Sequence, residues 1–263
     1  MTQALAQRLP QQSIKPSEQN APLAGALCAM ITQNPDDIRK AYELRYRVFA
    51  EEMGAQLDEQ GLDKDAFDDV CYHLIIKDED LDRVVGYSRI ITNDVAAQVG
   101  TYYSQTEFDL SQILRPGKTY MEIGRTCVDP DYRSGAVIAL LWAKLGQFMM
   151  EGQIDYLMGC ASIPLRATTD DAEDAAAMMN YLRNKHFSDE GWRVTPKQPL
   201  SVVTTKRDGK ELIPALLKAY LRIGCQVCGE PHWDKDFNVA DVVVLLDRKN
   251  INMRYLKHFL RAA

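Results

Sequence analysis

The stretch Thr119–Ala136 reads TYMEIGRTCVDPDYRSGA and decides the fold. Met121 and Ile123 suit a β-strand, and Pro130 ends it because proline removes a donor from the hydrogen-bonded ladder. After Gly135, apolar residues recur at helical spacing from Val137 to Met149. The stretch therefore predicts a strand, a short turn, and a loop that opens a helix.

This loop is a candidate phosphate site. The first turn of a helix offers unpaired backbone N–H groups and the positive end of the helix dipole, and both attract a phosphate. The loop has no GxxxxGK[ST] motif, so it is not a P-loop. An ordinary strand-to-helix turn would give the same pattern, so both interpretations stand at this point.

Composition limits the class of protein. The 263 residues are 46% hydrophobic, which is enough for one substantial core. The formal net charge of −6 gives no overall basic surface for nucleic acid. The six cysteines lie mostly in apolar segments, which favours reduced thiols in a cytoplasmic protein. Cys225 and Cys228 form a CxxC near His232, but no second ligand pair at metal spacing follows, so we expect packed thiols and no metal.

The periodicity predicts one α/β domain with a mixed central sheet flanked by helices. The predicted strands are 71–77, 84–92, 119–128, 154–161, 200–204 and 239–246. The predicted helices are 36–53, 136–151, 171–186 and 211–222.

The two ends of the chain differ from this domain, which we place at 21–247. Residues 1–20 are polar and are predicted to be disordered. Residues 248–263 are basic with apolar residues on one helical face, so they predict an amphipathic helix. That helix either packs on the domain with a solvated basic face or lies on an anionic membrane surface.

Several short segments then follow in an order that resembles a known family. They are Arg45-Tyr46-Arg47-Val48-Phe49, Asp65 with Asp68, Arg89, Glu122-Ile123-Gly124-Arg125, Gly159-Cys160-Ala161-Ser162, Tyr220-Leu221-Arg222-Ile223-Gly224 and Phe237-Asn238-Val239-Ala240-Asp241-Val242. The order resembles the Gcn5-related N-acyltransferase fold. Within it the chain is most similar to the bacterial ornithine N-acyltransferases of ornithine-lipid synthesis, and more distantly to acyl-homoserine-lactone synthases.

The resemblance implies an activity. It implies transfer of a long 3-hydroxyacyl chain from acyl carrier protein to the α-amine of ornithine, which gives a lyso-ornithine lipid. Acyl-CoA is the other possible donor, and no tightly bound cofactor is implied. An N-acyl amino acid or an acyl-homoserine lactone is the alternative product, and an inactive membrane-peripheral binding protein is the alternative of another class. The implied location is the cytoplasm, with possible contact at the inner face of the membrane.

Two residues of the central strand are the catalytic candidates. Glu122 is expected to orient the amine or take its proton. Arg125 lies three residues on, so it points to the other face of a regular strand, and only a bulge would bring both side chains to one site. An ion pair at the strand edge is the structural alternative.

A second group is expected to bind the amino-acid acceptor, because arginine suits a carboxylate and paired aspartates suit an ammonium. Its members are Arg45, Asp65, Asp68, His73 and Arg89. A salt-bridge network that fixes the N-terminal helices is the alternative, and a histidine beside apolar residues is more often part of the core.

The donor phosphate is expected at the loop formed by Arg133, Ser134, Gly135 and Ala136. Tyr181 is a weaker candidate for protonating the leaving thiolate, and ordinary packing is its alternative. We assign no nucleophile to Cys127 or Cys160, because a thioester donor needs no covalent intermediate on the enzyme.

Overall fold

The computed structural model describes residues 27–57, 61–165, 171–200, 205–252 and 254. Within these ranges the chain forms an eight-stranded sheet with helices on both faces and a separate two-stranded ribbon. The strands are β1 Leu27–Thr32, β2 Tyr72–Asp78, β3 Arg83–Thr92, β4 Phe108–Asp109, β5 Tyr120–Val128, β6 Tyr156–Pro164, β7 Thr195–Pro196, β8 Gln226–Val227, β9 His232–Asp234 and β10 Val239–Asp247. The α-helices are α1 Pro35–Tyr46, α2 Asn93–Val99, α3 Ser104–Glu107, α4 Ala136–Glu151, α5 Asp171–Lys185 and α6 Ala215–Ile223.

The sheet is mixed, as predicted. Its strand order is β1-β2-β3-β5-β6-β10-β8, with β9 also paired to β10. Neighbouring strands are antiparallel except β5 and β6, which are parallel. Parallel neighbours need a crossover connection, and α4 supplies it.

Apolar residues on both faces of the sheet explain why helices cover both sides. Successive side chains of a strand point to opposite faces. Leu74 and Ile76 therefore pack in the core cluster that contains α4 and α6. Ile75, between them, packs against α1 together with Leu44.

The parallel pair is short, and this opens the molecule. β5 and β6 pair over three positions, Tyr120 to Glu122 opposite Tyr156 to Met158. Beyond them β5 continues to pair with β3, and β6 continues to pair with β10. The two strands therefore diverge toward their carboxyl ends. At the point of divergence Gly159 lies so close to β5 that an added Cβ would be 2.3 Å from the Ile123 carbonyl oxygen.

A bulge bends β5 where the strands separate. Arg89 of β3 pairs with Gly124, and Tyr87 pairs with Cys127, so two residues of β5 lie opposite one residue of β3. Arg125, inside the bulge, has a φ of 51°, in the left-handed region. The bulge that would bring Arg125 to the face of Glu122 is therefore present.

The helices differ from the sequence prediction at their ends. The helix predicted over 36–53 is α-helical only to Tyr46 and continues as a wider π-helical turn, Arg47–Glu52. The helix predicted over 211–222 begins later, at Ala215, because Pro214 precedes it, and it ends at Ile223, where Gly224 with φ 116° caps it. The strand predicted over 154–161 is displaced to Tyr156–Pro164.

Three sequence predictions fall wholly or partly outside the described residues. Residues 1–20 lie outside them, and so does most of the strand predicted over 200–204. Of the helix predicted over 248–263, Arg248–Asn250 forms a single 3₁₀ turn instead, and the chain beyond Asn252 is outside the described ranges apart from Arg254.

Gly159→Ala tests the close approach of β6 to β5. Its Cβ would overlap the Ile123 carbonyl, which is backbone and cannot move aside alone. We expect a loss of about 1–3 kcal/mol in the free energy of unfolding, the usual cost of overpacking, measured by urea denaturation. Gly124→Ala is the matched control, since its Cβ would meet no heavy atom within 4 Å. Equal stability of the two variants would contradict the close approach.

Candidate active site

A cavity of about 590 Å³ fills the space between the diverging strands. β5 and β6 form two of its walls, and α6, the π-helical turn and the start of α4 contribute others. Its polar or charged lining residues are Arg89, Tyr103, Glu122, Arg125, Thr126, Tyr132, Arg133, Ser162, Tyr220, Asp234 and Asp241. Most of the remaining lining is apolar, and includes Val48, Phe49, Ile138, Trp142, Leu216, Leu217 and Phe237.

Glu122 lies at the last paired position of β5 and β6, where the cavity begins. Its side chain is buried, and its oxygens accept hydrogen bonds from the Tyr103 N–H at 2.6 Å and the Ser104 N–H at 2.7 Å. The Ser104 hydroxyl also donates a short hydrogen bond to Oε1. Burial raises the pKa of Glu122, and these hydrogen bonds oppose the rise. A carboxylate whose pKa is raised in this way is a stronger base than a free one, so it is suited to accept a proton.

Arg125 lines the same cavity because of the bulge. Its guanidinium lies 3.2 Å from Asp63 and 3.4 Å from Asp65, and it stacks near the rings of Tyr103 and Phe237. The structure therefore brings the two catalytic candidates of β5 to one cavity.

Most of the acceptor-binding candidates do not line this cavity and belong to a buried ion network beside it. Arg45 is fully buried, with Nε 2.8 Å from Asp63 and with Nη1 and Nη2 at 2.8 and 3.0 Å from the two carboxylate oxygens of Asp68. Burial alone would raise the pKa of Asp68, but the guanidinium groups of Arg45 and Arg89 hold it below its usual range. Asp68 also accepts the Asp65 N–H, which closes a capping box.

Two further members complete the network. Arg89 donates to Asp65 at 2.6 Å and to Asp68 at 3.2 Å. His73 is buried, with Nδ1 2.9 Å from the Tyr87 hydroxyl and Nε2 3.0 Å from the Asp68 carbonyl, and burial lowers its pKa.

The five acceptor-binding candidates differ in whether their side chains reach the cavity. Arg89 lines the cavity, whereas Arg45, Asp68 and His73 do not and already have partners for their polar atoms. Asp65 is partly exposed and joins Arg89 to Arg125. In this structure Arg45, Asp68 and His73 therefore match the salt-bridge and core alternatives, and the network orients the two arginines that border the cavity.

The donor-loop candidates surround the N-terminus of α4. Arg133 forms a two-pronged ion pair with Glu52 at 2.6 and 2.7 Å and donates to the Val128 carbonyl. Gly135 has a φ of 106°, and nothing lies within 4 Å of the position its Cβ would take. Arg133 and Gly135 line the cavity, while Ser134 and Ala136 are exposed beside it.

Other candidates lie away from the cavity or are inert. Tyr181 is absent from the lining, and its hydroxyl is 3.1 Å from His186 Nε2. Burial raises the pKa of the Cys127 thiol to about 12 and that of the Cys160 thiol well above its usual value, so both carry their protons at neutral pH. Among the described residues, the clusters with converging metal-ligand atoms include neither Cys225 nor Cys228.

Sequence reasoning missed part of the lining. Tyr103 and Ser104 hold Glu122 but come from a loop and a four-residue helix without a recognisable pattern. Tyr220 and Asp241 lie in the two late segments that carry the family resemblance, so that resemblance was the available signal for them.

The chain is similar to known proteins in both its sequence and its fold. An acetyltransferase (GNAT) domain model matches residues 44–143. The chain is 33% identical to L-ornithine Nα-acyltransferase of Rhodobacter capsulatus, with 88% of this chain and 93% of that protein covered. It is 30% identical to L-ornithine Nα-acyltransferase of Agrobacterium fabrum, with 89% and 85% covered.

Solved structures share the fold at low sequence identity. An N-acyl amino acid synthase from uncultured soil microbes has a TM-score of 0.53 at 14% identity, with 88% of this chain and 97% of that chain covered. A CoA-dependent acyl-homoserine lactone synthase has a TM-score of 0.54 at 16% identity, with 90% and 89% covered. Among the helices of the described ranges, none combines the length and the apolar character needed to cross a bilayer.

Arg45→Met tests the buried network. The change nearly keeps the volume of the side chain but removes the closest guanidinium partner of Asp63 and Asp68, which keep only their 3.2 Å contacts with Arg125 and Arg89. We expect the free energy of unfolding to fall by about 3–5 kcal/mol, the usual cost of breaking a buried pair from one side. Arg39→Met on the same helix, where the pair with Glu43 is exposed, should change it by less than about 1 kcal/mol. Urea denaturation of both variants gives the comparison, and a loss of similar size in both would contradict the prediction that removing Arg45 leaves a buried negative charge unpaired.

Proposed function

Because the chain belongs to the family of L-ornithine Nα-acyltransferases, we propose that it transfers an acyl chain from a phosphopantetheine thioester to the α-amine of ornithine. The acyl group is a long 3-hydroxyacyl chain on acyl carrier protein, and the product is a lyso-ornithine lipid. One observation of the structure supports this most directly. A largely apolar cavity has a buried carboxylate, Glu122, at the point where its two strand walls meet.

The donor arm is proposed to lie between β5 and β6. Strands that diverge leave backbone groups without a partner strand, and an extended pantetheine amide chain can pair with them. Its phosphate would then reach the N-terminus of α4, where free N–H groups and the helix dipole attract an anion. Gly135 leaves open space at this point, and Arg133 borders it.

The reacting nitrogen must first lose a proton. At pH 7 this costs about 1.4 kcal/mol for an α-amine of pKa about 8, and about 4.6 kcal/mol for a side-chain amine of pKa about 10.4. The α-amine is therefore the easier nucleophile. Glu122 accepts its proton, directly or through the Ser104 hydroxyl that donates to it.

Acyl transfer then forms one bond and breaks another. The amine nitrogen attacks the thioester carbonyl carbon, the C–N bond forms, and the C–S bond breaks with its electron pair on sulfur. The leaving thiolate takes a proton. Tyr220 lines the cavity, and this position makes it our candidate donor in place of Tyr181. Burial raises the pKa of its hydroxyl, so the group holds a proton at neutral pH.

The arginines of the cavity are proposed to bind the acceptor carboxylate. Arg125 and Arg89 both border the cavity, and guanidinium groups pair with carboxylates through two parallel hydrogen bonds. Arg45, Asp65, Asp68 and His73 act through them as positioning residues, since the buried network fixes where the two guanidinium groups lie.

Two partners are proposed beyond the small substrates. Acyl carrier protein is acidic and would dock where the donor loop reaches the surface, on a local basic patch that includes Arg133. The basic segment 248–261 would contact either this carrier or the anionic inner face of the cytoplasmic membrane, where each surface Lys or Arg contributes about 1 kcal/mol.

Product identification tests the proposal. Purified protein is incubated with ornithine and with the same 3-hydroxyacyl chain on acyl carrier protein or on CoA, and products are read by mass spectrometry. Nα-acylornithine from the carrier donor is the expected product. Acylation of a different amine, or a lactone product, would replace ornithine acylation as the function.

Glu122→Gln should lower kcat by about 10²–10⁴-fold, because the amide cannot take the proton from the amine. The amide has nearly the same size, but its NH₂ group would face the N–H groups of Tyr103 and Ser104 in one of its orientations. Thermal unfolding of the variant is therefore measured beside its kinetics. A folded variant with a near-normal kcat would remove Glu122 from the mechanism.

Arg133→Ala should raise the KM of the donor while leaving the KM of ornithine unchanged, and more strongly at low salt, since salt screens an exposed charge. Arg83→Ala is the matched control. Arg83 is similarly exposed and paired with Asp129, but it is absent from the cavity lining. Equal effects of the two substitutions would mean that general surface charge, and not the donor loop, governs the KM of the donor.

A further inference from the structure

A second group of carboxylates lies at the side of the cavity formed by β9 and β10, and two of its three members line the cavity. It consists of Glu107 at the end of α3, Asp234 on β9 and Asp241 on β10, and we call it the acidic cluster. Each residue offers a carboxylate oxygen within 4.8 Å of the others. Asp234 and Asp241 line the cavity, and Glu107 lies behind them, 6% exposed.

Asp241 carries an unpartnered oxygen into the cavity. The side chain is 4% exposed, and the Ser162 hydroxyl donates to its Oδ1 at 2.6 Å. Its Oδ2 receives no hydrogen bond from any described residue. Because Asp241 lines the cavity, this oxygen is open to a ligand there that donates hydrogen bonds.

The charge of the acidic cluster is only partly compensated: Arg125 lowers the pKa of Asp241 from a distance, without a direct ion pair. Among the ion pairs formed between described residues, none includes Glu107, Asp234 or Asp241. Burial raises the pKa of both Glu107 and Asp241, and neighbouring carboxylates raise it further. The site therefore favours either bound protons or a bound cation.

The acidic cluster is close to Glu122. The Ser104 hydroxyl contacts Glu122 on one side and the Cys160 sulfur at 3.2 Å on the other. Cys160 in turn donates to Glu107 Oε2 at 3.4 Å. Two small side chains, Ser104 and Cys160, therefore link the two carboxylate sites through direct contacts. The two nitrogens of ornithine are joined by five bonds of about 1.5 Å and span about 6 Å when extended, so one molecule can reach both sites.

Resting on the proposed function, we infer that the acidic cluster binds the side-chain ammonium of the acceptor and thereby selects a diamino acid. An ammonium group offers three N–H donors and suits three converging carboxylates. Binding there keeps the distal amine protonated and therefore not nucleophilic. The same binding directs the α-amine to Glu122, so the acidic cluster determines both which amino acid is used and which nitrogen reacts.

The test compares ornithine with norvaline, which has the same carbon chain but no distal amine. Wild-type protein should show kcat/KM for ornithine at least about 10²-fold above that for norvaline. Asp241→Asn should lower the value for ornithine by about 10- to 100-fold, the range for a lost hydrogen bond to a charged group, and leave norvaline unchanged or improved. Asp236→Asn, an exposed carboxylate on the neighbouring turn, is the matched control and should change neither value.

A second measurement needs no donor. Ornithine should raise the Tm of wild-type protein more than norvaline does, and Asp241→Asn should abolish the difference. If Asp241→Asn fails to fold, Asp234→Asn, which is less buried, carries the same test. Equal loss with both acceptors, or equal Tm shifts in wild-type protein, would overturn the inference.

Two further outcomes separate this inference from its rivals. A divalent metal that raises the Tm of wild-type protein but not of Asp241→Asn, with turnover abolished by a chelator, would assign the cluster to a metal and overturn the inference. Binding of ornithine that depends on Asp241 without any acyl transfer would support the inference about binding and reject the proposed function. Acyl transfer without preference for ornithine over norvaline would support acyltransferase activity and overturn the inference about the acidic cluster.

Discussion

β5 and β6 pair with each other over three positions, and the arrangement of the site depends on this limit. Each strand keeps its antiparallel partner on the other side, so the sheet continues while its centre separates. Hydrogen-bonding groups that would join the two strands in a closed sheet instead face a cavity. Gly159 permits the close approach from which the strands diverge, and the bulge at Arg125 bends β5 away from that point.

The buried ion network gives this opening a fixed wall. Three arginines and three aspartates from α1, the 63–68 segment, β3 and β5 hold one another. A network of this kind costs desolvation energy that apolar packing would not, so it contributes to position more than to stability. Its consequence at the site is that Arg89 and Arg125 reach the cavity in defined orientations. A flexible surface arginine would lose more conformational entropy on binding a carboxylate.

Carboxylates in the same cavity are held in different ways, and this suits them to different tasks. Glu122 accepts three hydrogen bonds, which oppose the effect of burial on its pKa. Asp241 accepts one from Ser162 and lies beside two other carboxylates; burial and the charge of Asp234 raise its pKa, and Arg125 only partly opposes them. A singly supported group with charged neighbours attracts a cation, whereas a well-supported one can exchange a proton. The regiochemistry of acylation follows from this difference if the acidic cluster holds the distal ammonium.

The amino-acid sequence by itself determined the local elements and the family. The alternation of side chains in β5 and the 3.6-residue period of apolar residues in α4 are local patterns of neighbouring residues. The strand, the loop and the start of the helix were therefore predictable from Thr119–Ala136. The order of short motifs identified the fold and singled out Glu122. Local pattern did not show that Arg125 shares the cavity with it, because a bulge depends on the register between β3 and β5. Nor did it show that Arg45, Asp68 and His73 are already paired, or that Glu107, Asp234 and Asp241 meet. Those residues are far apart along the chain, and their side chains come together only through sheet register and helix packing, which the tertiary structure alone decides.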